Sequence, residues 1–148
     1  MLNTIKAGAI LFFALVLSRL LPLPANSEPL LGLAVVAPYL TKNNLGLFLP
    51  VLVMFVSDMF LPDHGSKLLT YGAIGLAPII SKMLHNKIYT SLFCSWLVWH
   101  VLANFGQWYP PFSPEALLFD IRMLVSGLSI VILYDLRRKL WQTAYREV

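Results

Sequence analysis

The sequence predicts an all-α integral membrane protein with about six transmembrane helices. Of its 148 residues, 58% are hydrophobic and 12% are charged, and the mean hydropathy is +0.73. This composition leaves too little polar side chain to cover a soluble domain. Apolar stretches also recur along the chain, separated by short connections rich in Pro, Asn, Gly and charge. We therefore expect one transmembrane domain over residues 1–148.

Six apolar segments are candidates for the helices, covering residues 2–21, 29–40, 45–61, 67–84, 89–105 and 115–136. A full span needs about 20 residues. The second segment is shorter and has Pro38 near its end, so it predicts a short, tilted or re-entrant helix. The first resembles the apolar part of a secretory signal peptide. Because Arg19 precedes the prolines and no clean small-x-small cleavage pattern follows, we expect a real first helix.

The basic residues predict the orientation. With a cytoplasmic N-terminus, eight Lys and Arg side chains lie inside and three outside, namely Arg19, Lys67 and Arg122. Both termini are therefore expected in the cytoplasm, in a multi-pass protein of the bacterial inner membrane. Residues 137–148 are expected to form a basic amphipathic tail at the lipid headgroups.

Polar residues that are costly in lipid collect in the outer half of the predicted bundle. Arg19 closes the first helix, Asp58 lies near the end of the third, His100 and Asn104 share a face of the fifth, and Asp120 and Arg122 lie within the first two turns of the sixth. A charge at a helix centre costs about 2.5–3.5 kcal/mol on insertion scales, so such residues face the protein interior, pair, or line a wet cavity. We expect an outward-opening polar cavity in which Asp58 pairs with Arg19 or Arg122.

These residues also have purely structural interpretations. Asp58 suits an internal ion pair as well as a ligand role, and Arg19 and Arg122 suit snorkelling to headgroups. His100 is more typical of a hydrogen-bonded core histidine than of a metal or haem ligand. Four aromatic residues are more typical of an interfacial belt than of a stacking platform: Trp96, Trp99, Trp108 and Tyr109.

Several function classes lack support in the sequence. The single cysteine, Cys94, allows no internal disulfide, and no Cys/His spacing indicates zinc. The basic residues are dispersed between apolar segments, so nucleic acid is not an expected partner. No nucleotide or hydrolase motif occurs, and we expect neither an enzyme nor a cofactor. A membrane hydrolase using Asp58 and His100 is the minor alternative.

Three runs carry a family resemblance: SRLLPLPANSEPLLGLAV (18–35), LPVLVMFVSDMFL (49–61) and LANFGQWYPP (102–111). They resemble an uncharacterised family of small bacterial membrane proteins, which is itself similar to the substrate-binding S components of energy-coupling-factor vitamin transporters. The resemblance runs from Ser18 to about Leu136. The chain departs from the family pattern at Ala25, which stands where a second proline is usual, and at the acidic Glu28.

The resemblance implies a small-solute binding or transport component that works with coupling and ATPase subunits. Arg19 or Arg122 would pair with an anionic group of the solute, Asp58 and Asn104 would orient its polar atoms, and Trp108 or Tyr109 would stack on its ring. The expected ligand-binding residues are Arg19, Asn26, Glu28, Asp58, His100, Asn104, Trp108 and Arg122. The alternative is a non-catalytic accessory subunit of a larger membrane complex. An open outer cavity favours the first function, and a sealed ion-pair network favours the second.

Overall fold

The described part of the chain is all-helical. The computed structural model describes residues 9, 12–13, 15–21, 27, 29–40, 44–61, 67–85, 87–105 and 113–146, with side chains described up to residue 143, and none of these residues lies in a strand. Helix α1 is seen at residues 15–20. The later helices are α2 (Leu30–Leu40), α3 (Leu45–Asp58), α4 (Lys67–Met83), α5 (Ile88–Phe105) and α6 (Pro114–Arg146).

Helices α2 to α5 begin and end within three residues of the predicted boundaries, whereas α6 runs ten residues beyond its predicted end. The basic tail was expected as a separate stretch but continues the same helix. No Pro or Gly interrupts residues 137–146, and Lys139 Nζ lies 2.9 Å from Asp135 Oδ2, one turn earlier. At the start of α6, Ser113 Oγ accepts a hydrogen bond from Ala116 N at 3.1 Å and caps the helix.

The short second helix lies at the centre of the bundle. Helix α2 packs against α3, α4, α5 and α6, and every residue from 30 to 37 is buried. Its side chains there are all apolar, which suits a helix enclosed on every side. Ser81 Oγ on α4 donates to the carbonyl of Val35 at 2.7 Å, and Tyr39 donates to the carbonyl of Ser81 at 2.9 Å.

Two contacts fix the register between α2 and α6. A Cβ built on Gly32 would lie 2.7 Å from Gly127 Cα, so the two backbones touch there. Seven residues further along each helix, the rings of Tyr39 and Tyr134 are 6.0 Å apart. The helices therefore run side by side in the same direction. In this register α2 begins at the level of residue 125, more than one turn beyond Asp120.

The outer surface of the bundle is strongly apolar. Exposed large side chains occur on every described helix except α2, and they include Phe13, Phe48, Phe55, Leu68, Phe93, Val125 and Leu133. Such continuous apolar exposure exceeds what soluble monomers usually present. Among the described helices, two are long and apolar enough to cross a membrane, namely α5 and the segment Pro114–Thr143 of α6.

Candidate functional site

The two ends of the bundle differ in charge. The C-terminal end of α5 meets the N-terminal part of α6, where Asn104 bonds Asp120, and Asp58 at the end of α3 meets Tyr71 near the start of α4. We call this the buried-charge end; among its described charged residues and histidines, those with buried side chains are Arg19, Asp58, His100 and Asp120. The opposite end carries Lys82, Lys87, Arg137 and Arg138, and we call it the basic end.

A buried ion pair joins α1 to α3. Arg19 Nη1 lies 3.0 Å from Asp58 Oδ1, with side-chain exposures of 7% and 5%. The same nitrogen donates to Ser57 Oγ at 2.7 Å, and Tyr71 on α4 donates to Asp58 Oδ2 at 2.9 Å. Ser57 is oriented by its own bond to the carbonyl of Val53, one turn earlier, at 2.8 Å. One carboxylate thus links three helices, and we call this set the Asp58 network.

A second network joins α5 to α6 around Asp120, which is 1% exposed. Asn104 Nδ2 donates to Asp120 Oδ2 at 2.6 Å, and His100 Nδ1 lies 2.6 Å from the same oxygen. Trp99 Nε1 donates to Asp120 Oδ1 at 3.2 Å, and Trp96 Nε1 donates to the Asp120 carbonyl at 2.7 Å. Helix α5 therefore supplies four groups to one residue of α6.

The spacing of α5 explains the Asp120 network. His100 and Asn104 lie one turn apart on one face, and Trp96 lies one turn before His100. The amide of Asn104 also donates to the carbonyl of His100 at 2.7 Å, which fixes its direction. Because that amide already has two oxygen acceptors, Nδ1 of His100 is free to donate its proton to the Asp120 carboxylate.

Four of the eight predicted site residues belong to the two networks. Arg19 and Asp58 pair as one of the two predicted alternatives, and His100 and Asn104 meet on α5. Arg122 joins neither network; its guanidinium lies 5.6 Å from the ring centroid of Phe119. The other three expected residues, Asn26, Glu28 and Trp108, lie outside the described residues.

The sequence interpretation left four members of these networks out of the predicted site. Asp120 was located in the first turns of the sixth helix but was not assigned to the site, and Tyr71 was not considered. Trp96 and Trp99 were assigned to an interfacial belt, and this was wrong: both are buried, at 9% and 6% exposure, and direct their indole N–H groups at Asp120. The available signal was the polar face of α5, which requires an acceptor on a neighbouring helix.

The four helices that carry most of both networks, α3 to α6, all pack against α2. Because α2 begins beyond the level of Asp120, it contributes no helical turn beside that residue. Each carboxylate there is already bound by donors from another helix. A polar ligand that reaches this end must therefore exchange hydrogen bonds with one of those donors.

A family model matches residues 2–129, and the chain belongs to this family of unknown function (DUF6580). No curated protein and no solved structure matches the chain significantly. The family match does not connect the chain to the S components of vitamin transporters, so that relationship stays a hypothesis.

Proposed function

We propose that the chain is a multi-pass protein of the bacterial cytoplasmic membrane. Support comes from the apolar outer surface and from the two span-length helices. The 18 residues of α5 extend about 27 Å at 1.5 Å per residue, close to the ~30 Å hydrocarbon layer, and this length separates the two ends. The basic end would lie in the cytoplasm, where Lys and Arg are enriched.

Within that membrane setting, we propose that the chain binds a small solute at the buried-charge end, as an S component does. The observation that carries this proposal is the late start of α2. At the level of Asp120 the described helices carry buried polar side chains, and the central helix has not yet begun. Polar groups at membrane depth are costly and usually serve a ligand, an ion or a proton.

The networks suggest a division of labour in binding. Arg19 would attract an anionic group of the solute while Tyr71 retains Asp58. Asn104 and His100 would turn from Asp120 towards polar atoms of the solute, since both are hydrogen-bond donors. Energy for release would come from separate coupling and ATPase subunits, because the sequence offers no nucleotide-binding motif.

The test is gentle extraction of the chain from its native membrane, followed by native mass spectrometry. We expect a small molecule bound to the wild type and to Asn44→Ala, and lost from Asn104→Ala. Asn44 is a matched control because it is an exposed amide far from the networks, bonded to Lys82 at 3.1 Å. Thermal unfolding of both variants checks that Asn104→Ala remains folded. Retention of the molecule by folded Asn104→Ala would contradict binding at this end.

A second candidate is a structural role as an accessory subunit. The closed state of both networks favours it, since Asp120 is 1% exposed and the Arg19–Asp58 pair is nearly as buried. The same mass spectra distinguish the two functions. Recovery in a large complex of fixed stoichiometry, with no small molecule in any form of the chain, would establish the accessory role.

A further inference from the structure

A groove lies at the basic end, between the last residues of α2 and the late part of α6. Its volume is about 320 Å³, and it is lined by Tyr39, Leu40, Tyr134, Arg137, Arg138 and Trp141, among others. The phenol of Tyr39 is held by its bond to the Ser81 carbonyl, which gives this wall a fixed shape. The groove is distant from both polar networks and takes no part in the function proposed above.

The two arginines of this groove lie close along α6 to one carboxylate, Asp135, whose hydrogen bonds go to other residues. Asp135 is the nearest carboxylate along α6, and it binds Lys139 at 2.9 Å and Tyr89 at 3.1 Å. No carboxylate of the described residues pairs with Arg137 or Arg138. Adjacent guanidinium groups in a concave site favour an anion with several oxygen acceptors, such as a phosphate.

Apolar side chains beside the arginines indicate whether the phosphate belongs to a soluble molecule or to a lipid. Along α6, Leu133, Leu136, Leu140 and Trp141 are 50–72% exposed, on both sides of the arginine pair. Leu40 adds an aliphatic wall to the groove. A soluble phosphate makes no apolar contacts with this surface, whereas the acyl chains of a phospholipid would pack along it. Trp at this position is also typical of the headgroup layer.

We propose that this groove binds the headgroup of an anionic phospholipid, with Arg137 and Arg138 holding its phosphate. Basic pockets between helices on the cytoplasmic side bind such headgroups in other membrane proteins. The proposal rests on the membrane location inferred above and is independent of solute binding.

The test uses the full chain in nanodiscs that contain phosphatidylcholine and phosphatidylglycerol in equal amounts. Native mass spectrometry of the released protein measures which lipid stays bound. We expect the wild type to retain phosphatidylglycerol preferentially. The double variant Arg137→Gln/Arg138→Gln should lose this preference by a factor of about 25, since each basic residue at a membrane surface contributes roughly fivefold in affinity.

The control is Lys82→Gln/Lys87→Gln, which removes the same charge from the same end but outside the groove, and it should retain the preference. Equal loss in both double variants, or no preference in the wild type, would overturn the headgroup site. Excess inorganic phosphate should leave the lipid bound; displacement would mean a soluble phosphate site and would overturn the lipid assignment. Size-exclusion chromatography tests the membrane location separately. A chain that stays in the discs but shows no lipid preference overturns only the headgroup site, whereas a chain that leaves the discs overturns both proposals.

Discussion

His100 Nδ1 lies 2.6 Å from Asp120 Oδ2, and this contact joins the only histidine of α5 to a carboxylate that is 1% exposed. The histidine also stacks on Trp96, with ring centroids 6.0 Å apart. The imidazole is therefore fixed both in its plane and in its hydrogen bond. This double constraint holds the His100 donor in place against the Asp120 carboxylate.

Replacement of the Asp120 carboxylate should destabilise the protein strongly. In Asp120→Asn the side-chain NH₂ would face donors on Trp99, His100 or Asn104 in either orientation. We expect a loss of about 2–3 kcal/mol in the free energy of unfolding, measured by denaturant titration in mixed micelles. The control Glu115→Gln removes an exposed carboxylate of the same helix and should change it by less than about 0.5 kcal/mol. Equal stabilities of the two variants would refute the central role of Asp120.

The Arg19–Asp58 pair should behave as a coupled unit. Removing one partner leaves the other charge buried, so Arg19→Gln and Asp58→Asn should each cost about 3–5 kcal/mol. The double variant should cost less than the sum of the two, with a coupling energy of about 1–3 kcal/mol. Thermal or denaturant unfolding of all four forms gives this cycle. Strict additivity would mean that the two side chains do not interact in the folded protein.

The change in stability on replacing each of three glycines by alanine should follow the space available for a Cβ atom. A Cβ on Gly32 meets the Gly127 backbone at 2.7 Å, whereas one on Gly127 meets Gly32 N and a flexible Leu92 methyl at 3.1 Å. A Cβ on Gly72 meets nothing within 4 Å. Gly32→Ala should therefore cost about 1–3 kcal/mol, Gly127→Ala less, and Gly72→Ala should stabilise by about 0.5–1 kcal/mol. A Gly32→Ala variant as stable as the wild type would contradict the close α2–α6 contact.

The single cysteine provides a test of the membrane location. Cys94 is partly exposed and lies between the exposed Phe93 and Leu97 on the outer face of α5. In intact membranes we expect a charged maleimide to leave it unmodified, because the reagent does not enter hydrocarbon. A Cys94→Ser/Thr143→Cys chain should react, but only when the cytoplasmic side is open to the reagent. Rapid labelling of Cys94 in sealed membranes of either orientation would count against the proposed span.

The sequence predicted helices α2 to α5 to within three residues because each is a mainly apolar run bounded by short polar connections. It also predicted Arg19 as one of two candidate partners of Asp58, because the expected topology brings both charges to the same end of the bundle. It did not predict the central position of α2. Burial of Gly32 depends on Gly127, which is 95 residues away in the chain, and no local pattern encodes that contact. Trp99 was misassigned for a similar reason. A tryptophan suits a membrane interface as well as a buried site, and its acceptor, Asp120, lies on another helix.

The main contact of α2 at Gly32 is with α6, the last of these helices to be synthesised, and this affects the assembly of the protein. Eleven apolar residues are too few to cross a membrane unaided, and the surface that covers Gly32 belongs to α6. During synthesis, α2 therefore leaves the ribosome before the helix that completes its burial exists. In the membrane protein proposed above, α2 reaches its final position only after residue 127 has been inserted. Chains truncated before α6 should accordingly remain incompletely assembled and be exposed to membrane quality-control proteases.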